Sequence, residues 1–219
     1  INAEVMTCDL KIALGCIVPH PYFGYGGGAK MVLPGVSSMR SICYNHGDLG
    51  GLSTAQNHRT VHPSCEMAYG RVNEENILRL DSEEAAKVIG LDMIVNVLVD
   101  LRRNSTDVFA GDVIEAQRKG VEVAREHYRT PVLPEADIVV SNAYSKANEA
   151  AIASWPALTL KEGGDFVLIV NAPTGQVTHY THGRWGTKVF SDLYLAPPDT
   201  LNRAGRIILF SEYHERQPW

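Results

Sequence analysis

Residues 10–30 read LKIALGCIVPHPYFGYGGGAK, an apolar strand pattern that is followed directly by a glycine-rich loop. The first half is rich in β-branched residues and ends at Pro19 and Pro21, so we expect a strand over residues 10–19. The glycines at 24, 26, 27 and 28 permit positive φ angles and a close approach of backbone to a ligand. Because open α/β sheets bind ligands at the carboxyl ends of their strands, this loop is the first candidate for a binding site.

Three side chains of different chemistry surround the loop. His20 can transfer a proton, Lys30 can act as a nucleophile, and the imidazole of His46 can bind a metal ion. Each also has an ordinary interpretation, as a turn residue, a solvated lysine and a helix-end histidine respectively. The loop matches neither the G-x-G-x-x-G pattern nor a P-loop, so its N–H groups form either a strained turn or an anion-binding nest. Together, the three residues and the loop indicate a cofactor site.

The spacing His20-x9-Lys30-x15-His46, around the core GGAKMVLPGV at 27–36, resembles the nickel-dependent lactate racemase family. The resemblance implies that Lys30 carries a nickel-pincer nucleotide (pyridinium-3-thioamide-5-thiocarboxylic acid mononucleotide nickel) through a thioamide. It implies that His46 is the protein ligand of the nickel and that His20 is one of two proton-transferring bases. The remaining expected cofactor contacts are Tyr22, Gly26, Gly27 and Gly28.

The resemblance also implies a function, which is racemisation or epimerisation of a 2-hydroxy acid. In the family, a histidine removes the hydroxyl proton while a hydride leaves Cα, and the planar 2-keto acid receives the hydride on either face. Family proteins extend beyond this stretch on both sides, and their other base lies upstream. We therefore expect a piece of a longer protein that is weak or inactive alone. The alternatives are a protein that binds a cofactor or nucleotide without turnover, an enzyme that uses Lys30 as a metal-free Schiff base, and a fragment without independent function.

The expected substrate contacts lie later in the chain, where the sequence departs from the lactate-specific pattern. Family members that act on lactate hold its carboxylate with a glutamine and a lysine, but neither residue type occurs from 147 to 160. In the segment THYTHGRW at 178–185, an arginine can grip a carboxylate with two hydrogen bonds, although the segment is equally typical of a loop between domains. The candidate substrate contacts are Tyr144, Lys146, Asn148, His179 and Arg184.

Composition gives broader bounds on the protein. The 219 residues are 45% hydrophobic and 21% charged, with a net charge of −5, which is typical of a globular protein and gives no sign of nucleic-acid or membrane binding. Four cysteines without a C-x-x-C pair fit reduced thiols in the cytoplasm, and we expect Cys8 and Cys16 to be small core residues. His58 and His62 lie in a polar stretch and form a metal site only with further ligands. The expected partners are a 2-hydroxy acid and the enzymes that make the cofactor, and a homo-oligomer is left open.

The alternation of strand and helix patterns predicts an α/β protein with largely parallel sheets. A proline-bounded linker at 131–134 suggests two lobes. Residues 1–132 are expected to be the remainder of a Rossmann-like cofactor-binding domain, and residues 133–219 part of a second α/β domain, which the resemblance relates to ClpP/crotonase-like folds. The predicted strands are 10–19, 93–100, 137–141, 165–171 and 206–211, and the predicted helices are 38–46, 73–89, 112–128 and 147–161.

Overall fold

The computed structural model describes residues 1–50, 64, 70, 75–131, 133–173, 175 and 201–216. The chain forms two compact units, residues 1–130 and residues 131–219. Strands and helices occur in both units, which confirms the predicted α/β class. The assignment of the two units as a cofactor-binding domain and a second domain remains a prediction. Among the described residues, no helix has both the length and the apolar character that crossing a membrane requires.

The first unit contains four α-helices, five strands, a 3₁₀ helix and a π-helix among its described residues. In chain order these are α1 (Ala3–Met6), β1 (Ile12–Cys16), β2 (Pro19–His20), β3 (Gly24–Tyr25), the 3₁₀ helix Gly28–Met31, α2 (Met39–Ile42), the π-helix Cys43–Leu49, α3 (Ile77–Val88), β4 (Met93–Val99), β5 (Ser105–Gly111) and α4 (Glu115–His127).

The main sheet of this unit has the strand order β1-β4-β5. Strand β1 pairs with β4 in parallel, but β5 pairs with β4 in the antiparallel sense, so this sheet is mixed rather than parallel throughout. The sequence patterns did not predict β5. The cause of its direction is a tight turn, in which the Asp100 carboxylate accepts hydrogen bonds from the N–H groups of Arg102 and Asn104, both at 2.8 Å. Strands joined by so short a connection can pair only as a hairpin.

One face of this sheet is covered and the other is open. Alternate residues of β4 are buried. Among them, Leu98 packs with Ile17, which directly follows β1, and with Val121 of α4. On the opposite face Leu14 is 68% exposed, and Cys16 is exposed as well. The prediction that Cys8 and Cys16 are core residues is therefore wrong. Cys16 belongs to the open face of an edge strand, and Cys8 precedes the sheet at an exposed position.

The predicted helix at 38–46 is shorter and less regular than its pattern suggests. Ser38 caps α2, since its Oγ accepts a hydrogen bond from the N–H of Ser41 at 3.3 Å. After Ile42 the chain continues as the π-helix, so His46 lies inside a π-helix rather than at the end of an α-helix. Helices α3 and α4 lie within their predicted ranges, and Gly90 follows α3 with a φ of 65°, as expected for a residue that ends a helix.

The second unit contains a three-stranded parallel sheet in the order β6-β7-β8, with β6 at Ala136–Asn142, β7 at Leu160–Ile169 and β8 at Ala204–Phe210. All three strands overlap their predicted ranges. The predicted helix at 147–161 is instead a 3₁₀ helix, Tyr144–Thr159, with Pro156 inside it. Its buried alanines pack with Phe166 and Leu168 of β7, because small side chains allow this helix to lie close to the sheet. A short 3₁₀ helix, His214–Arg216, follows β8.

Candidate functional site

The glycine-rich loop folds back over the end of the first sheet. Strands β2 and β3 form a small antiparallel ladder that pairs His20 with Gly24. Gly27 and Gly28 have φ angles of 70° and 58°. A Cβ atom at Gly27 would lie 2.2 Å from the Oδ1 atom of Asn96, and one at Gly28 would lie 2.8 Å from Cγ of Gln117. Both the backbone angles and the lack of space therefore require glycine at these two positions.

Buried side chains of β4 and α4 hold the second half of this loop. The Oδ1 atom of Asn96 accepts a hydrogen bond from the N–H of Gly28 at 2.7 Å, and Nε2 of Gln117 donates one to the carbonyl of Gly26 at 3.3 Å. The Gln117 side chain also accepts a hydrogen bond from Arg118 at 2.7 Å. Buried polar groups need such partners, and here the partners fix the backbone just before Lys30.

Helix α3 holds the first half of the loop. Asn76, which caps α3, donates a hydrogen bond to the carbonyl of Tyr22 at 2.6 Å. The guanidinium of Arg79 donates to the carbonyls of Phe23 and Tyr25. Burial lowers the pKa of Arg79 to about 10, and the charge of Arg118 acts in the same direction, while Glu83 opposes them. The first turn of α3 thus fixes residues 22–25.

The three predicted functional residues His20, Lys30 and His46 converge on the ring of Phe23, which is 1% exposed. The ring centroid of Phe23 is 5.4 Å from that of His20 and 5.5 Å from that of His46. The Nζ atom of Lys30 lies over the ring face, 4.0 Å from its centroid, in a cation–π contact. The sequence analysis did not select Phe23, although the residue lies inside the motif between His20 and the first glycine.

His20 is held in one orientation by the turn that follows it. Its Nδ1 atom accepts hydrogen bonds from the N–H groups of Tyr22 and Phe23, both at 3.2 Å. A ring nitrogen that accepts a hydrogen bond carries no proton, so the proton of the neutral ring lies on Nε2. In this state His20 presents a donor at Nε2.

Lys30 and His46 differ in their surroundings. Lys30 is half-buried in the 3₁₀ helix, whereas His46 is only 5% exposed. Next to His46, the amide of Asn45 donates hydrogen bonds to the carbonyl of Leu78 at 3.3 Å and to the carboxylate of Asp81 at 2.7 Å. These bonds fasten the π-helix to α3. Short π-helices occur frequently at functional sites, and this one brings a buried imidazole to the ring of Phe23.

The donor set decides which kind of metal-containing group the site can hold. No group of three or more His, Cys, Asp or Glu side chains among the described residues is placed to bind a metal ion. Near the ring of Phe23, the described residues offer one buried imidazole, of His46, and one amine, of Lys30, as groups that could hold a metal-containing cofactor.

The remaining predicted cofactor contacts lie on the same loop. Tyr22 is half-buried with its ring 6.5 Å from that of His20, and the N–H of Gly26 donates to the carbonyl of Val18 at 2.7 Å. Tyr25, the other aromatic beside the glycines, packs in the core with Leu98, and burial raises its pKa. Tyr25 is thus a packing residue, while Tyr22 stays a candidate for cofactor contact.

The described candidate substrate residues belong to the second unit. Tyr144 is 68% exposed with a φ of 41°, and Lys146 is exposed beside it at the start of the 3₁₀ helix of the second unit. Asn148, in the same helix, is half-buried. The other calls of the sequence analysis lie outside the described residues; these are His58, His62, Cys65, His179 and Arg184.

Comparison with known proteins gives consistent matches. A sequence profile of the lactate racemase N-terminal domain matches residues 1–57. The lactate racemase of Thermoanaerobacterium thermosaccharolyticum is 27% identical over 210 residues, which are 93% of this chain and 45% of the relative. The lactate racemase of Lactiplantibacillus plantarum is 29% identical over 185 residues, which are 80% of this chain and 40% of the relative. The chain thus spans less than half the length of these curated relatives.

Solved structures support the fold. The lactate racemase apoprotein from T. thermosaccharolyticum matches with a TM-score of 0.68 at 23% identity, covering 98% of this chain and 54% of that one. A protein from Thermotoga maritima matches with a TM-score of 0.54 at 14% identity, covering 95% of this chain and 58% of that one. At such low sequence identities, the similarity to these solved structures supports the fold and not the function. The matches in sequence and fold agree, and they show that the chain is similar to lactate racemases.

Proposed function

We propose that this chain carries the cofactor-attachment site of a racemase or epimerase that acts on a 2-hydroxy acid with a nickel-pincer nucleotide. The observation that carries the proposal is the convergence of His20, Lys30 and His46 on the ring of Phe23. Residues separated by 10 and 16 positions along the chain share one small region, and they supply an acid/base group, an amine and a metal ligand.

Each residue has a separate role in this proposal. The amine of Lys30 forms the covalent bond to the cofactor, and the buried imidazole of His46 is the protein ligand of its nickel. The glycines at 26–28 stay predicted cofactor contacts, although the N–H groups of Gly26 and Gly28 already donate to Val18 and Asn96, and protein atoms fill the space beside Gly27 and Gly28. When bound, the nickel-pincer nucleotide supplies the group that accepts and returns a hydride.

The role of His20 depends on its ring protons. In the orientation described above, the neutral ring donates a hydrogen bond from Nε2 to a hydroxyl or carbonyl oxygen. To remove a hydroxyl proton at Nε2, the ring must first carry its own proton on Nδ1, which requires Nδ1 to release the N–H groups of Tyr22 and Phe23. His20 is therefore proposed as the acid/base group, with a reorientation of its ring as part of the base step.

The substrate is proposed only as a class. The curated relatives are named lactate racemases, and lactate is one 2-hydroxy acid. The absence of lysine and glutamine from 147 to 160 favours a different member of that class. Tyr144, Lys146, Asn148, His179 and Arg184 remain the predicted contacts, and the cofactor-making enzymes, the cytoplasmic location and the oligomeric state remain predictions.

The cofactor proposal is tested by co-expressing the chain with the enzymes that make the nickel-pincer nucleotide, then measuring intact mass and nickel content. We expect an adduct with nickel on the wild type and no adduct on Lys30→Ala. Lys119→Ala, which removes an exposed lysine of α4, is the matched control and should load normally. The His46→Ala variant should carry the organic adduct without nickel. This result would distinguish the attachment role of Lys30 from the metal-binding role of His46.

The contradicting outcome is a chain that takes up neither adduct nor nickel while the L. plantarum lactate racemase loads in the same host. The catalytic part of the proposal is tested on the loaded protein with an enantiopure 2-hydroxy acid that carries deuterium at Cα. We expect racemisation with the deuterium retained, because a hydride that leaves Cα and returns to it does not exchange with solvent. Racemisation above the level of the unloaded chain would contradict the alternative of a cofactor-binding protein without turnover.

A further inference from the structure

Arg79 is the largest of the fully buried side chains in the described part of the molecule, with 2% of its surface exposed. Burying a guanidinium is costly unless its donors are satisfied. An arginine at such a position usually faces a carboxylate, but the nearby carboxylate of Glu83 is paired with Arg118 at 2.7 Å. The position of Arg79 thus calls for an explanation other than a simple ion pair.

The described hydrogen bonds of Arg79 lead to the candidate site. Its Nε and Nη2 atoms donate to the carbonyl of Phe23 at 3.1 and 2.9 Å, and Nη2 also donates to the carbonyl of Tyr25. These carbonyls flank Gly24, which has a φ of 75°. The planar fork of the guanidinium therefore fixes the two peptide groups on either side of the turn, which a lysine amine cannot reproduce.

We propose that Arg79 is a positioning residue of the cofactor site, which acts by fixing the backbone of Phe23 and thereby the ring on which His20, Lys30 and His46 converge. The proposal rests on the function proposed above. Arg79 itself contacts none of the three residues in the hydrogen bonds that the structure describes. It acts through Phe23, whose ring orients the Lys30 ammonium by the cation–π contact.

The test uses the chain without cofactor and measures the chemical reactivity of Lys30. The native chain is acylated briefly with an amine-reactive ester, and mass spectrometry gives the rates at Lys30 and at Lys119. Lys119, with 70% of its side chain exposed, serves as an internal reference. Loss of the ring contact exposes the Lys30 amine to the ester, so we expect Arg79→Met to raise the Lys30-to-Lys119 rate ratio about threefold.

Three further variants distinguish a positioning role of Arg79 from a general loosening of α3. Ser82→Ala removes another buried polar group of α3, whose hydroxyl donates to the carbonyl of Leu33 at 2.8 Å, and it should lower thermal stability without changing the rate ratio. Phe23→Leu keeps the backbone carbonyl that Arg79 binds but removes the ring, and it should raise the ratio as much as Arg79→Met. Arg79→Lys should give an intermediate ratio, because one amine replaces the fork.

Two results would overturn the proposal. One is an unchanged ratio in Phe23→Leu, or in Arg79→Met if that variant folds. The other is an equal increase in Ser82→Ala, which would assign the effect to general loosening of α3. Because the measurement needs no cofactor, it can succeed where the loading experiment fails, and the reverse also holds. Failure of the cofactor proposal is therefore distinguishable from failure of the role of Arg79.

Discussion

Two loops that follow the carboxyl end of a parallel strand can be compared within this molecule. The loop at 20–30 follows β1, and the segment at 142–148 follows β6. The first is held by four buried side chains from distant elements, which are Asn76, Arg79, Asn96 and Gln117. The second begins with a local hydrogen bond, from the N–H of Tyr144 to Oδ1 of Asn142 at 3.0 Å, and its polar residues Asn142, Tyr144 and Lys146 are exposed.

The difference between these loops teaches how a candidate site can be recognised. Polar residues occur in both loops, so composition does not distinguish them. Among the described residues, only the first loop combines positive φ angles with hydrogen bonds from several buried side chains. Buried polar groups are costly unless they are satisfied, so a loop surrounded by them is held in one conformation. Such rigidity is what a site that must place three reactive groups requires.

The largest expected effect is at Gly27 of the first loop. Gly27→Ala should lower the free energy of unfolding by about 3 kcal/mol or more, because its φ is 70° and its Cβ would overlap Asn96. Gly163→Ala in β7 is the matched control, since its φ is 77° but no atom lies within 4 Å of the added Cβ. It should cost about 1 kcal/mol from backbone strain alone. Urea denaturation followed by far-UV circular dichroism measures both, and equal losses would contradict the comparison.

The next effect concerns the asparagines that hold the two loops. Asn96→Ala leaves the N–H of Gly28 buried without its acceptor, so we expect a loss of about 2 kcal/mol. Asn142→Ala removes the exposed hydrogen bond to Tyr144 and should cost about 0.5 kcal/mol. Amide hydrogen exchange should show faster exchange at 24–31 in the first variant. Slower or unchanged exchange there would remove Asn96 as a support of the loop.

A smaller effect is expected at the start of α4, the helix that carries Gln117. The N–H groups of Ile114 and Glu115 donate to Asp112 at 2.8 and 2.9 Å and hold the pKa of its carboxyl below the ordinary value of 3.8. Because the folded-state pKa is depressed, the stabilisation is present above that value and is lost as pH falls through the lower, folded-state pKa. Asp112→Ala should therefore cost about 1 kcal/mol at pH 7.

The pH dependence gives this prediction its control. The difference in unfolding free energy between wild type and Asp112→Ala should shrink when denaturation is repeated at pH 3 and below. A difference that stays constant between neutral and acidic pH would show that the charge of the Asp112 carboxylate contributes nothing to these hydrogen bonds.

The smallest effect is spectroscopic and involves no change in stability. We expect the neutral ring of His20 to carry its proton on Nε2, because Nδ1 accepts two backbone hydrogen bonds. Nitrogen-15 NMR of the imidazole distinguishes the two tautomers. His127, whose Nε2 atom lies 3.0 Å from the carbonyl of Val99, provides an internal reference for the same tautomer. An Nδ1-protonated ring in His20 would contradict the geometry of the turn.

Much of the fold could be predicted from local patterns. Alternation of apolar residues identifies β4 and β7, and Gly90 marks the end of α3. The patterns missed β5, whose sequence STDVFAG alternates weakly, and they predicted α-helix where residues 144–159 form a 3₁₀ helix. They also placed Cys16 in the core. In each of these cases the outcome depends on which neighbour covers a segment, which a local pattern does not contain.

The motif residues of the site were chosen by the sequence alone. The spacing of His20, Lys30 and His46 and the glycines between them are local properties, and so is the need for positive φ at Gly27 and Gly28. The assignment of cofactor, metal and acid/base roles to these residues stays a prediction. The sequence thus determined which residues are candidates for the chemistry, because residue type and spacing are all that such a hypothesis needs.

Tertiary structure decided what holds those residues in place. Asn96 binds Gly28 across 68 positions, Gln117 binds Gly26 across 91, and Arg79 binds Phe23 across 56. Nothing in one sequence identifies such pairs, because a buried asparagine, glutamine or arginine has the same local pattern as an exposed one. Their partners are set by how β4, α3 and α4 pack beneath the loop, and burial is what turns these polar side chains into its supports.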